Sequence, residues 1–180
     1  MTGSHEEAPS SALRDGRTVT IRPLGEDDYA ALLAFGLALP QDDLIYLEND
    51  FQNPDIIRRL VNAAAAENWR QVVAVAEGAI VGYSAVRRLA GWSSHVADIH
   101  LTVSDGWRRS GLGTAMAQAI FDAARDLGVN KVIVEMLERQ NAGRAIFERL
   151  GFRVEGLLSA HARDRHGHRH NLLILAYHVS

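Results

Sequence analysis

One stretch of the sequence decides the fold class, and it reads Val103-Ser104-Asp105-Gly106-Trp107-Arg108-Arg109-Ser110-Gly111-Leu112-Gly113-Thr114. An apolar strand pattern leads into this stretch, and a helix pattern follows it. Free backbone N–H groups at a helix N-terminus carry the positive end of the helix dipole, and glycine lets a phosphate approach without meeting a Cβ. Arg108 or Arg109 adds positive charge. The stretch therefore predicts a site for a diphosphate anion.

The spacing of the glycines argues against two common phosphate-binding motifs. No lysine followed by serine or threonine comes after Gly113, and no third glycine completes the dinucleotide fingerprint. Neither a nucleoside triphosphatase nor a dehydrogenase is therefore favoured. The alternative is that Gly111 and Gly113 only form a tight turn between a strand and a helix.

The composition limits the partners of the chain. It has 180 residues, 47% of them hydrophobic, and a formal net charge of -3 from 19 basic and 22 acidic side chains. This balance predicts a globular protein with no general attraction for nucleic acid or an anionic membrane. No apolar run approaches the roughly 18 residues of a membrane span. Cysteine is absent, which excludes disulfides, thiolate metal sites and cysteine nucleophiles, and we expect a cytoplasmic protein.

Strand and helix patterns follow each other along the chain. Strands are predicted at residues 18–22, 69–77, 80–88, 96–103, 132–137, 152–162 and 169–178. Helices are predicted at residues 29–39, 54–68, 111–127 and 142–150. Residues 1–16 are rich in serine and glutamate, so we expect a disordered tail there and a single domain over residues 17–180.

The stretch quoted first resembles the signature of a known family. Arg108-x-x-Gly111-x-Gly113 after a strand is similar to the Arg/Gln-x-x-Gly-x-Gly/Ala pyrophosphate loop of the GNAT N-acetyltransferase superfamily. The run Phe147-Glu148-Arg149-Leu150-Gly151-Phe152 resembles the family's aromatic-x-Lys/Arg-x-Gly-Phe signature, and the order of elements agrees over residues 18–178. The resemblance implies an α/β (α+β) fold whose mixed, mostly antiparallel sheet has about seven strands and about four flanking helices. The family's fourth and fifth strands, here residues 96–103 and 132–137, would splay apart.

The resemblance also implies acetyl-CoA as cosubstrate. Its pantetheine arm would lie between the splayed strands and bond to the backbone of Leu101, Thr102 and Val103, where the Val103 N–H would polarise the thioester carbonyl. The other cofactor-binding residues implied in this way are Arg108, Arg109, Ser110, Gly111, Leu112, Gly113, Thr114, Gln140, Asn141, Phe147 and Arg149.

One departure from the family concerns the leaving group. Many members have a tyrosine where this chain has Phe147, and its phenol can protonate the departing thiolate. The family's asparagine seven residues earlier is Gln140 here, with Asn141 one position late. The missing phenol predicts the loss of one general-acid contribution, on the order of 10²-fold. It also leaves open an alternative function, that of a non-catalytic acyl-CoA-binding or regulatory module.

Transfer to an amine needs a base that takes the ammonium proton. Strand alternation predicts Asp98, His100 and Thr102 on one face and the apolar residues between them on the other. The candidate bases are His100, Asp98 and, on the next strand, Glu135. The alternative for each is a hydrogen-bonded strand residue. The resemblance implies direct attack by a primary amine of a small molecule or peptide, without a covalent enzyme intermediate.

The rest of the chain leaves further questions open. Residues 41–53 and 89–95, with the last hairpin, are expected to shape the acceptor site. The first of these loops carries the acidic side chains Asp42, Asp43, Glu48 and Asp50, which either attract a cationic amine or form an ordinary solvated face. His161, His166, His168 and His170 either bind Zn²⁺ or Ni²⁺ or form a solvated hairpin. We expect no metal, and no acidic residue is predicted to fix these rings. A homodimer is left open.

Overall fold

The computed structural model describes residues 10–180, so the first nine residues of the predicted tail lie outside the described part of the chain. The strands are β1 Ser10–Ala12, β2 Thr18–Pro23, β3 Trp69–Ala76, β4 Ala79–Arg88, β5 Val96–Val103, β6 Lys131–Leu137, β7 Arg153–Arg163 and β8 Arg169–His178. The helices are α1 Tyr29–Leu37, α2 Pro54–Asn62, α3 Leu112–Asp126 and α4 Asn141–Arg149, with short 3₁₀ helices at Glu26–Asp28, Gln41–Tyr46, Gly91–Ser93 and Asp105–Trp107. No helix among the described residues is long and apolar enough to cross a bilayer.

All of these strands belong to one sheet, in the order β1-β2-β3-β4-β5-β6-β8-β7. Neighbouring strands run antiparallel except for β5 and β6, which are parallel. The connection between this parallel pair is α3, as a parallel crossover requires. The predicted mixed, mostly antiparallel sheet with flanking helices is confirmed, and it has one strand more than the seven predicted.

The additional strand is β1, which lies within the predicted disordered tail. Ser10, Ser11 and Ala12 pair with Thr20, Val19 and Thr18 of β2. All three β1 residues are exposed, so no apolar alternation in the sequence signals the strand. Leu13, which follows, is buried and packs into the core beneath β2. Residues 10–16 therefore differ from the expectation, because the free edge of β2 offers them backbone hydrogen bonds.

Two helical layers cover opposite faces of the sheet. On one face, α1 and α2 pack Leu32, Phe35, Ile57 and Leu60 against side chains of β3 and β4. On the other face, α3 and α4 pack against alternate residues of β5, β6 and β8. A large apolar side chain contributes about 1.5–3 kcal/mol when fully buried, so these contacts hold both layers on the sheet.

Helix α2 is shorter than the sequence predicts. It begins at Pro54, where the side chain of Asn53 accepts a hydrogen bond from the N–H of Asp55 at 2.9 Å. It ends at Asn62 rather than near residue 68. The alanines after Val61 favour a helix, but they bring no large apolar side chain that would hold another turn against the sheet.

The parallel strands β5 and β6 separate toward their C-terminal ends. Their ladder runs from Val96 and Lys131 to Ile99 and Val134 and ends there. Beyond this point β5 pairs only with β4, as far as Val103, and β6 pairs only with β8, as far as Leu137. The splayed pair implied by the resemblance is therefore present. We refer to the gap between residues 100–103 and 135–137 as the β5–β6 opening.

Candidate active site

The backbone of β5 presents hydrogen-bonding groups to the β5–β6 opening. The N–H of Ser104 donates to the Val81 carbonyl of β4 at 2.9 Å. Backbone groups of successive strand residues point to opposite sides, so the N–H of Val103 points away from β4 and into the opening. The same alternation turns the backbone of Leu101 into the opening and that of Thr102 toward β4. Leu101 and Val103 thus offer groups that no neighbouring strand pairs.

The residues after β5 form a loop with free N–H groups. In this 104–114 loop, Arg109 has a φ of +60° and Gly111 a φ of +91°, and α3 begins directly after Gly111. A left-handed residue followed by a helical one turns successive N–H groups to the same side, which makes an anion-binding nest. The N–H of Leu112 donates to the Ser110 hydroxyl at 3.2 Å. No acceptor among the described residues binds the N–H groups of Arg109, Ser110, Gly111, Gly113 and Thr114.

The two arginines of this loop have different surroundings. Arg108 donates from Nη2 to Asp43 Oδ2 at 2.6 Å and from Nη1 to Asp105 Oδ1 at 3.2 Å. Arg109 is exposed, and its side chain makes no ion pair within residues 10–180. An anion at the loop would therefore meet Arg109 and the backbone, whereas Arg108 is held by two carboxylates. Asp43 was not expected as its partner.

On the other side of the opening, the residues after β6 provide one amide. Gln140 Oε1 accepts a hydrogen bond from the N–H of Leu137 at 2.7 Å, which leaves the Gln140 amide N–H groups available. Asn141 is exposed at the first position of α4. Arg149 is exposed at the last position of the same helix, 8 residues further on by sequence number. Along the chain, Gln140 is therefore closer than Arg149 to the β6 residues that border the opening.

Phe147 is part of the hydrophobic core. Its side chain is 2% exposed, and its ring lies edge-on to that of Phe152 with 5.2 Å between the centroids. The side chain has no polar atom, so it provides no proton donor at this position.

His100 lies between two carboxylates on the opposite face from α3. Its Nε2 is 3.3 Å from Asp98 Oδ2 and 3.2 Å from Glu48 Oε2. The register pairs Asp98 with Ile133, so Glu135 projects from β6 on the same face as His100. The three candidate bases are thus brought together on one face. Glu48, which lies 52 positions before His100 in the sequence, is the neighbour that strand periodicity could not reveal.

These carboxylates control the proton affinity of His100. Burial disfavours the imidazolium and acts to lower the pKa, but the hydrogen bond to Asp98 and the charges of Asp98, Glu48 and Glu135 outweigh it. The pKa of His100 is therefore raised above its ordinary value of 6.5. Asp98 Oδ1 is buried without a hydrogen-bond partner among the described residues. A group that titrates in a carboxylate-lined environment can take a proton from an ammonium ion and release it again.

A pocket lies beside His100, and residues of the segment 46–51 form one of its walls. Its aromatic walls come from Tyr46, Phe51, Trp69 and Tyr83. Its other polar side chains are Glu48, Asn49, Arg87, His100 and Thr102, and Arg87 Nη2 lies 3.7 Å from Glu48 Oε1. The pocket thus combines one carboxylate, that of Glu48, with aromatic rings, a pairing that suits an amine with an apolar body. The first of the two expected loops, residues 41–53, lines it, whereas residues 89–95 do not.

The four acidic residues of segment 41–53 have separate partners. Asp42 Oδ1 accepts from Arg165 Nε at 2.8 Å, and Asp43 binds Arg108. Asp50 Oδ1 accepts from the N–H of Gln52 at 3.0 Å. Only Glu48 of this group lines the pocket beside His100.

The histidines of the β7–β8 hairpin gather around an aspartate. Asp164 Oδ2 accepts from His170 Nε2 at 2.8 Å, and Oδ1 accepts from the N–H groups of His166 and His168. The expectation that no acidic residue fixes these rings is wrong for His168 and His170, whose ring nitrogens lie 3.5 and 2.8 Å from Asp164 Oδ2. His170 pairs with Ala162 across the hairpin. No group of three or more histidine, aspartate or glutamate side chains in residues 10–180 is arranged to hold a metal ion.

Comparison with known families agrees with this geometry. The family model of the acetyltransferase (GNAT) domain matches residues 18–153. The chain belongs to the GNAT family. It is also 27% identical over 123 residues to a Xenopus tropicalis protein named "Probable N-acetyltransferase camello". That match covers 68% of this chain and spans 56% of the length of the curated relative.

Solved GNAT structures share the fold at low sequence identity. The GNAT domain of PAT from S. lividans matches with a TM-score of 0.79 and 17% identity, covering 99% of this chain and 100% of that one. The structure of yncA from Salmonella typhimurium with its cofactor acetyl-CoA matches with a TM-score of 0.77 and 17% identity, covering 90% of this chain and 94% of that one. The family model describes an acetyltransferase domain.

The donors and acceptors of this GNAT chain fit a ligand with a diphosphate and amide groups. Five unpaired N–H groups of the 104–114 loop suit a diphosphate. The unpaired backbone of Leu101 and Val103, with the Gln140 amide across the opening, suits an amide-bearing arm. Acetyl-CoA has both parts.

Proposed function

We propose that this chain transfers an acetyl group from acetyl-CoA to a primary amine of a small molecule or peptide, by direct attack within a ternary complex. The observation that carries the proposal is the juxtaposition along β5. Val103 directs its N–H into the β5–β6 opening, and His100, three positions earlier, lies in a pocket beside Glu48 on the other side of the sheet from α3.

The cofactor is proposed to bind through backbone groups. The N–H groups of Arg109, Ser110, Gly111, Gly113 and Thr114 receive the pyrophosphate, and Arg109 adds its charge. Leu101 and Val103 bond to the pantetheine arm, and the Val103 N–H polarises the carbonyl of the acyl group. When bound, acetyl-CoA supplies an acetyl group activated as a thioester, which an amine can attack.

The acceptor amine is proposed to enter the pocket beside His100. Glu48 and Asp98 attract its ammonium form, and the aromatic walls bind the apolar part of the molecule. His100 takes the ammonium proton and passes it to solvent, so that the free amine can attack. Phe147 has no proton to give. A water molecule therefore takes the second proton, which the nitrogen loses as the amide forms, and delivers it to the departing thiolate.

A second candidate function is a non-catalytic acyl-CoA-binding or regulatory module. Phe147 favours it, since the position that often holds a proton donor in the family is a core ring here. The two functions share the cofactor site and differ in turnover.

Turnover can be followed without background, because the chain has no cysteine. The test measures thiol release from acetyl-CoA with a panel of alkylamines, arylalkylamines, polyamines, amino acids and peptides. We expect release that depends on the amine, and His100→Gln should slow it on the order of 10²-fold. Binding of acetyl-CoA without release for any amine would reject the catalytic function and leave the binding module.

A further inference from the structure

The N-terminal residues contact the 104–114 loop directly. Arg14 donates from Nη2 to the carbonyl oxygen of Arg109 at 3.2 Å, and Arg17 donates from Nη1 to the carbonyl oxygen of Gly106 at 3.0 Å. The Arg17 guanidinium also lies 3.9 Å from the centroid of the Trp107 ring. We call residues 10–23, which comprise β1, its turn and β2, the N-terminal hairpin. Its two turn arginines bind two carbonyl groups of one loop.

A neighbouring carboxylate fixes the orientation of Arg17. Asp15 Oδ2 accepts from Arg17 Nε at 2.8 Å, and Asp15 Oδ1 accepts from the Arg17 N–H at 3.1 Å. The turn is closed by the N–H of Leu13, which donates to the Arg17 carbonyl at 2.7 Å. With Nε bound to Asp15, Nη1 of Arg17 remains for Gly106 and the guanidinium face remains for Trp107.

The contact made by Arg14 affects the direction of the N–H groups that form the anion-binding nest. In a trans peptide the C=O and the following N–H point in opposite directions. Arg14 binds the carbonyl of Arg109, so the N–H of Ser110 must point away from Arg14. Arg109 also has a φ of +60°, a conformation that a side chain disfavours. A donor on its carbonyl opposes relaxation of this unfavourable backbone.

We propose that Arg14 and Arg17 are positioning residues that hold the 104–114 loop in its anion-binding conformation. The loop then presents its carbonyl groups to the two arginines and its N–H groups to the ligand. This inference rests on the proposed function, since it concerns the loop proposed to bind the pyrophosphate. Both arginines act through the backbone of the loop. Arg14 lies within the predicted disordered tail of residues 1–16, and Arg17 directly follows it.

The test compares Arg14→Met and Arg17→Met with Arg153→Met, a control that removes the same charge from an exposed position on β7. Calorimetry measures the affinity for acetyl-CoA and for acetyl-3′-dephospho-CoA, and thermal unfolding checks the fold. Amide hydrogen exchange of the ligand-free protein measures the protection of Leu112, whose N–H donates to Ser110.

We expect Arg14→Met to weaken both ligands by about tenfold, as the loss of one hydrogen bond from a charged donor implies. The Leu112 amide should exchange faster in Arg14→Met before any ligand is added, and Arg153→Met should change neither quantity. Equal affinity in all variants would overturn the proposal. A loss confined to acetyl-CoA, or unchanged exchange in the ligand-free protein, would instead make Arg14 a direct phosphate ligand. Failure of the parent protein to bind acetyl-CoA would reject the proposed function, whereas faster exchange at Leu112 would still support the positioning role.

Discussion

His100 takes its properties from three carboxylates that come from different parts of the chain. Asp98 precedes it by two positions on β5, Glu135 projects from β6, and Glu48 arrives from the segment before α2. The raised pKa means that these contacts stabilise the fold fully below the ordinary pKa of 6.5 and less as pH rises through the raised value. In the free enzyme, His100 therefore becomes neutral and able to accept a proton only at a pH above its ordinary pKa of 6.5.

Glu48→Gln tests this control of His100. Only neutral His100 can accept a proton, so kcat/KM should rise as pH rises through the His100 pKa. The substitution removes one charge that raises this pKa, and the acidic limb of the profile should move to lower pH. The measurement is kcat/KM against pH with one acceptor amine.

Glu77→Gln is the matched control, because Glu77 is exposed in the turn between β3 and β4 and its side chain has no polar partner among the described residues. An identical shift of the acidic limb in both variants, or an acidic limb that does not move in Glu48→Gln, would show that His100 is not the base.

At the scale of secondary-structure elements, α1 positions the segment that closes the pocket. Gly36 of α1 lies directly against the chain at Phe51, so a Cβ built at Gly36 would be 1.9 Å from the Phe51 carbonyl oxygen. Gln52 Nε2 also donates to the Gly36 carbonyl at 3.4 Å. The pocket residues Glu48 and Phe51 thus depend on close backbone contact with a helix.

Gly36→Ala should destabilise the fold by about 3 kcal/mol, because backbone must move to admit the methyl group. Gly143→Ala is the matched change, since Gly143 is also inside a helix and a Cβ there meets no atom within 4 Å. It should stabilise the fold by about 0.5–1 kcal/mol through its higher helix propensity. Urea unfolding measures both free energies. Similar values for the two variants would contradict the close contact between α1 and Phe51.

At the scale of the whole molecule, periodicity in the sequence was enough to predict most of the strands and helices, whereas the arrangement of the sheet was implied by the family resemblance. The alternation over residues 96–103 correctly placed Asp98 and His100 on one face. The glycines at the start of α3 marked the loop with free N–H groups. Both features depend on residues close together in the sequence, where spacing and backbone geometry are directly linked.

Contacts between distant parts of the chain could not be predicted in this way. Asp43 binds Arg108 from 65 positions away, and Glu48 reaches His100 across the sheet surface. A periodic pattern shows which face a residue occupies, but it does not show which segment covers that face. The strand Ser10–Ala12 was missed for a related reason, since its pairing uses backbone groups and its side chains are exposed.

The central claim is that the 104–114 loop binds acetyl-CoA, and calorimetric titration into Gly111→Ala tests it most directly. Gly128→Ala is the control, because both glycines have positive φ, +91° and +66°, and alanine should cost about 1 kcal/mol of stability at either. We predict micromolar binding to the parent protein and to Gly128→Ala, with at least about tenfold weaker binding to Gly111→Ala. Absence of binding to the parent after removal of copurified CoA, or equal binding to all three proteins, would contradict a cofactor site at this loop.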